Sequence, residues 1–145
     1  MIRKLRHHKS NRGTNMNAYN TRLRTSRISD QYLTELQSVL QLSSKAAVAR
    51  LAIALSIRIP DDPQADTKVV LHDTAGFEFQ RSTLTGKYDL LIKSLITQHH
   101  GENISEEAYY PDLLALHLER GTKVLYNEVK YQGGKDKYLR FLFTD

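Results

Sequence analysis

Residues 21–59 read TRLRTSRISDQYLTELQSVLQLSSKAAVARLAIALSIRI, and three patterns follow one another along them. Thr21, Leu23 and Thr25 alternate with Arg22, Arg24 and Ser26. That two-residue period, with threonine well suited to extended backbone, predicts a short strand. Tyr32, Leu33, Leu36, Val39 and Leu40 then recur at the spacing of one helix face, with Gln31, Thr34, Glu35, Gln37 and Ser38 on the other. Ser29 is the expected N-cap, and Asp30 suits the positive end of the helix dipole. Ser43 and Ser44 interrupt the pattern, and one of them is expected to cap a second helix over 45–59.

The second helix is apolar almost all round: Ala46, Ala47, Val48, Ala49, Leu51, Ala52, Ile53, Ala54, Leu55 and Ile57 leave little polar face before Ser56. Such a helix has to be buried on all sides. In a chain this short, that predicts a subunit interface as well as a core, and Ile53→Asp is expected to disrupt assembly. Lys45 stands at the helix N-terminus, where free N–H groups favour phosphate. Arg50, the mid-helix charge, is expected to pair with an acid or line a polar channel. Strand–helix–turn–helix is the plan of ribbon-helix-helix nucleic-acid binders, in which the strand pairs with its copy in a second subunit.

Charge sharpens the partner. Residues 1–27 hold eight cations (Arg3, Lys4, Arg6, Lys9, Arg12, Arg22, Arg24, Arg27) and no acid, while the remainder holds thirteen Lys/Arg against sixteen Asp/Glu. A basic arm on a slightly acidic body points to a polyanion. Residues 1–20 lack apolar periodicity and read as a disordered arm. At 145 residues the chain suits one domain with a real core. No apolar run reaches the roughly 18 residues of a membrane span, and no apolar stretch follows the charged start, so a cytoplasmic protein is expected. The absence of cysteine excludes disulfides, thiolate metal sites and a cysteine nucleophile in this chain.

Beyond residue 59, Pro60-Asp61-Asp62-Pro63 ends the helix. Segments 68–72 (KVVLH) and 77–80 (FEFQ) are predicted to form a hairpin across Asp73-Thr74-Ala75-Gly76. After Gly86 a helix is expected with Tyr88, Leu91, Ile92, Leu95 and Ile96 on one face, closing at His99-His100-Gly101. A further helix is expected over 109–120, with Arg120 in its last turn and Gly121 beyond its end. Gln132-Gly133-Gly134-Lys135 reads as a turn, and 138–143 as a terminal strand or docking tail.

The residues offer little for catalysis. His99-His100 near Glu102, Glu106 and Glu107, and His72 beside Asp73, lack zinc-ligand spacing. There is no nucleophile elbow, and Gly133-Gly134-Lys135 lacks the remainder of a phosphate-binding loop. Tyr109-Tyr110-Pro111 could stack on a base but reads as packing. The clustered cations suit backbone phosphates, which position a protein without reading sequence.

Taken in order, LRTSRISDQYLTEL, VARLAIALSI, DTAGFEF, LTGKYDLL and LLALHLERGTKVL resemble the DndE family of DNA sulfur modification proteins. Gly76-Phe77-Glu78-Phe79, Leu84-Thr85-Gly86-Lys87-Tyr88-Asp89 and His117-Leu118-Glu119-Arg120-Gly121 carry most of that resemblance. It implies a mostly helical, oligomeric subunit, a tetramer, that binds nicked duplex DNA and works with other Dnd proteins to replace a phosphate oxygen of DNA by sulfur. It supplies no catalytic residue to match here.

The expectation is therefore a mainly α fold with a small β component, a strand–helix–helix start, a hairpin and two further helices. Residues 1–20 form an arm, 21–126 a DndE-like domain and 127–145 a tail. The function expected is non-enzymatic binding of duplex or nicked DNA, without metal or cofactor. Charge and position nominate Arg22, Arg24, Arg27, Lys45 and Arg50 as the DNA contacts. The alternatives are a ribbon-helix-helix regulator or antitoxin, which needs only about the first 60 residues, and, less favoured, a metal-dependent nuclease.

Overall fold

The computed structural model describes residues 22–64 and 73–143. They form six α-helices and one two-stranded antiparallel sheet, the mainly helical architecture expected. The basic arm and the KVVLH half of the expected hairpin lie outside the described residues.

Strand β1 (Arg22–Arg24) alternates as expected: Leu23 turns inward at 2% exposure between two outward arginines. Its partner is β2 (Glu78–Gln80) of the same chain, in the register Arg22↔Gln80, Leu23↔Phe79, Arg24↔Glu78. This corrects the expectation that the strand pairs with its copy in a second subunit. Phe79 is as buried as Leu23, so the two opposed apolar side chains bind the sheet to the core. Beyond the ladder, Thr25 N–H donates to the Phe77 carbonyl at 2.9 Å and Gly76 N–H to the Thr25 carbonyl at 2.9 Å.

Helix α1 (Arg27–Leu40) begins earlier than the sequence suggested. Its N-cap is Ser26, in extended backbone, whose Oγ accepts from Ser29 N–H. Ser29 is buried one turn inside, at 3% exposure. Ser and Thr caps look alike in sequence, and the third member of the contact decided between Ser26 and Ser29: a carboxylate from a distant helix, described below. Leu33, Leu36 and Leu40 form the buried stripe. Gln41, with φ 55°, closes the helix.

Helix α2 (Lys45–Arg58) follows at 103° to α1, capped by Ser44 through Ala47 N–H. It packs chiefly along α5 (Leu114–Gln132), and α1 rests on α5 as well. Val48, Ala49, Ala52 and Ile53 lie at or below 1% exposure within this one chain. Ile53 is thus a core residue of the chain itself, and Ile53→Asp reports on folding rather than on assembly. Ala54 and Arg58 face outward, so the apolar helix is not enclosed on every side.

From β2 the chain enters a short helix, α3 (Arg81–Leu84), a single 3₁₀ turn (Gly86–Tyr88) and α4 (Asp89–His100). Of the apolar face expected on α4, Ile92 and Ile96 are buried, whereas Tyr88, Leu91 and Leu95 are 43%, 57% and 37% exposed. An irregular turn, Ala108–Leu113, buries Tyr109 and Tyr110 completely, which gives both the packing role expected.

Helix α5 does not stop at Arg120. It runs on to Gln132, through Gly121 and past Tyr126, and Gly133 closes it at φ 86°. Gly121 is there because α2 crosses at that point: a Cβ would sit 1.8 Å from the Ala52 carbonyl oxygen. The final segment is a helix too, α6 (Lys135–Phe143), not a strand, with Tyr138 buried against the core. The partial alternation in 138–143 hid a helical period. No helix among the described residues is long and apolar enough to cross a membrane by itself.

Candidate nucleic-acid interface

The basic ribbon is anchored from beneath by α5. Ser26 N–H and Ser26 Oγ donate to the two oxygens of Glu119, at 2.7 and 2.9 Å, and Ser29 Oγ donates to the second. Glu119 is 5% exposed. Its carboxylate lies at the N-terminus of α1, where the helix dipole favours negative charge. Gly76 makes room for the joint from the other side: a Cβ there would lie 2.1 Å from the Ser26 carbonyl oxygen.

The neighbouring Arg120 does the converse at the C-terminus of α2. Nε donates to Ser56 Oγ at 2.8 Å, Nη2 to the Ser56 carbonyl at 2.8 Å, and Nη1 to the Asp61 carbonyl at 2.6 Å. A cation is thereby placed on helix-end carbonyls, again with the dipole. Ser56 Oγ, which accepts from Arg120, also shares a hydrogen bond with His117 Nδ1, 2.9 Å away. Burial, then the nearby His99 and Arg120 charges, push the His117 imidazole down to about 3. His99 stands edge-on to it, ring centroids 5.0 Å apart, with Nε2 2.6 Å from the Ile59 carbonyl. This histidine pair closes the α2 end. Among the described residues no three His, Asp or Glu side chains gather as a metal site.

Above this frame stand three of the nominated cations. Arg22, Arg24 and Arg27 have side chains 62%, 58% and 74% exposed. Arg22 and Arg24 share Glu78, at 3.6 and 3.0 Å, and Arg27 meets Asp73 at 3.2 Å. Hydrogen bonds from Ala75 N–H and from Arg27 outweigh partial desolvation and hold the Asp73 carboxyl below its ordinary range. Exposed pairs of this kind contribute little to stability, so the arginines can exchange a carboxylate for a phosphate at small cost.

Lys45 and Arg50 are placed differently. Lys45 is 19% exposed, bonded to Asp30 at 2.7 Å, with its ammonium 4.2 Å from the Phe77 ring centroid. It ties α2 to α1. Arg50 pairs with no acid among the described residues: Nη1 donates to the Thr83 and Leu84 carbonyls at 3.2 and 3.1 Å, closing the end of α3. The structure thus brings Arg22, Arg24 and Arg27 together on the ribbon and gives Lys45 and Arg50 duties within the fold.

A family model for the DNA sulphur modification protein DndE matches residues 22–132, most of the chain. The chain belongs to the DndE family. No curated protein matches it. A role in DNA sulfur modification follows from the family, and the DndE match ends where α5 ends, at Gln132.

The three segments that most resemble DndE proteins in sequence turn out to be joints. Gly76 to Phe79 supplies the close approach at Ser26, the acid for the ribbon arginines and the core side chain opposite Leu23. His117 to Gly121 fixes both ends of the helix pair. Leu84 to Asp89 turns the chain into α4 around Asp89. Burial works against ionisation of Asp89, but hydrogen bonds from Arg81, Thr85 and Tyr109 outweigh it and keep the carboxyl below its ordinary range. Arg81 also pairs with Glu106, which Lys93 holds at 2.8 Å. None of these joints was legible as such, since each needs partners 8 to 93 positions away.

Proposed function

We propose that this chain is a non-catalytic, DNA-binding subunit of the phosphorothioation machinery, holding duplex or nicked DNA by its backbone. One observation carries the reading: three arginines, each more than half exposed, stand along β1 and the first turn of α1, countered there only by the surface carboxylates of Glu78 and Asp73 among the described residues. Phosphates of DNA are stronger and more numerous acceptors for such a row than two surface carboxylates. Intrachain pairing of β1 counts against a ribbon-helix-helix regulator, whose ribbon is built from two subunits. The reading includes a cytoplasmic homo-oligomer, a tetramer, working with other Dnd proteins. Apolar side chains left exposed on α4 and α6, such as Leu90 at 78% and Phe143 at 85%, support an assembled form.

The test is an anisotropy titration of a duplex at several salt concentrations, with the natural chain and with Arg22, Arg24 and Arg27 all changed to Ala. Three lost phosphate contacts are expected to flatten the salt slope by roughly 2 to 3, at about 0.9 per contact on B-DNA. An unchanged slope and affinity would remove these arginines from the interface. Failure of the natural chain to bind any DNA would remove the function.

A further inference from the structure

Tyr88 lies in a segment of which Leu84, Thr85 and Asp89 are consumed by the fold. Leu84 and Thr85 are buried, and Asp89 is bound by Arg81, Thr85 and Tyr109. Gly86, at φ 51°, begins a tight turn that the Tyr88 N–H closes onto the Thr85 carbonyl at 2.9 Å. The turn is thus held rigidly, yet it delivers a tyrosine that fills no core: Tyr88 is 43% exposed. Two cations lie over its ring. Lys87 Nζ is 5.2 Å and the Arg50 guanidinium 5.7 Å from the centroid. Lys87 makes no ion pair among the described residues, and the nearest acid in sequence, Asp89, is neutralised by Arg81. The turn also continues directly, through α3, from the Gln80 end of β2, which pairs with Arg22 of the basic ribbon.

An exposed aromatic ring with two cations over it, and no acid against Lys87 among the described residues, has a definite chemical complement: a flat ring carried between two phosphates. We infer that Tyr88 is a stacking platform for an unpaired nucleobase at an interruption of the duplex, with Lys87 on the adjoining phosphate. The inference rests on the DNA-binding reading and deepens it, assigning recognition of the interruption to a residue separate from the arginine ribbon. A paired base inside an intact duplex is already stacked and offers its face to nothing, whereas a base at a nick or gap can turn out onto the ring. Arg50, bound to the Thr83 and Leu84 carbonyls, is a positioning residue for the platform.

The experiment uses the full chain and two duplexes of equal length, one intact and one carrying a single unpaired 2-aminopurine beside a nick. Tyr88→Leu is expected to weaken binding of the interrupted duplex by roughly 5- to 150-fold, the range for losing one base–aromatic stack. Binding of the intact duplex should stay within about twofold. Tyr88→Phe keeps the ring and should bind as the natural chain does. Quenching of 2-aminopurine on binding should be present with Tyr88 and Phe and absent with Leu. Lys87→Gln should flatten the salt slope on the interrupted duplex by about one. A thermal melt checks that the Leu variant is folded. Equal loss on both duplexes, or no loss on either with quenching intact in the Leu variant, would overturn the platform and leave the ribbon standing. A change in oligomer mass by light scattering with unaltered quenching would make Tyr88 a protein contact and overturn it equally. Absence of binding to either duplex by the natural chain would overturn the DNA-binding reading, and the platform with it.

Discussion

Gly121 sits in mid-helix, a position where glycine is intrinsically unfavourable by about 1 kcal/mol relative to alanine. Propensity alone therefore favours Gly121→Ala, and packing forbids it. The added Cβ would fall 1.8 Å from a backbone oxygen and 2.4 Å from a backbone carbon of Ala52, neither of which can rotate away. The helices must separate, in a contact that forms much of the core. We expect Gly121→Ala to destabilise by at least about 3 kcal/mol, the upper range of overpacking costs, in urea unfolding followed by circular dichroism. A midpoint equal to that of the natural chain would show that α2 and α5 can slide past one another.

At the scale of elements, α5 works as a strut with successive residues directed at different targets. Glu119 holds the start of α1, Arg120 the end of α2 and Gly121 the crossing itself. The arrangement depends on the guanidinium fork: its three nitrogens reach four oxygens spread over Ser56, Ile59 and Asp61. A single ammonium cannot cover that spread. Arg120→Lys is therefore expected to be far from conservative, costing about 1 to 3 kcal/mol for each buried carbonyl left without a donor. Thermal melting should show a clear loss relative to Arg58→Lys, an exposed control at the same end of α2. Equal melting of the two variants would mean that water or the loop after α2 supplies the missing donors.

For the molecule as a whole, the closed histidine pair sets an acid limit. His117 in the folded chain is pushed to about 3 from an ordinary 6.5, chiefly by burial. Between those values the unfolded chain holds a proton that the folded chain lacks, so stability falls as pH falls. It is full above about 6.5 and declines through the window down to about 3. The slope approaches about 1.4 kcal/mol per pH unit for one whole proton. Asp89 and Glu106, both held below their ordinary range, add losses lower in the same direction. Unfolding curves from pH 7 to 4.5 should show this decline, and His117→Gln should flatten its upper part. A natural chain equally stable across that span would mean that His117 is hydrated and titrates normally.

Local physics determined what lies within a few residues: the alternation of β1, the period of α1, the almost wholly apolar run of α2, a serine cap at Ser43 or Ser44, the turn at Gly133, and the charge asymmetry that suggested a polyanion. Those signals need no partner from elsewhere in the chain. Tertiary structure decided the rest. Ser26 rather than Ser29 caps α1 because Glu119 arrives there from 93 positions away. The glycine after Arg120 permits a crossing instead of ending a helix, because Ala52 lies against it. Ile53 belongs to the core of one chain because α5 is long enough to cover α2. The nominated cations separated in the same way: Arg22, Arg24 and Arg27 face solvent, while Lys45 and Arg50 were drawn to a carboxylate and to carbonyls brought near by folding. Composition counts charges, but only packing determines which of them still have a hand free.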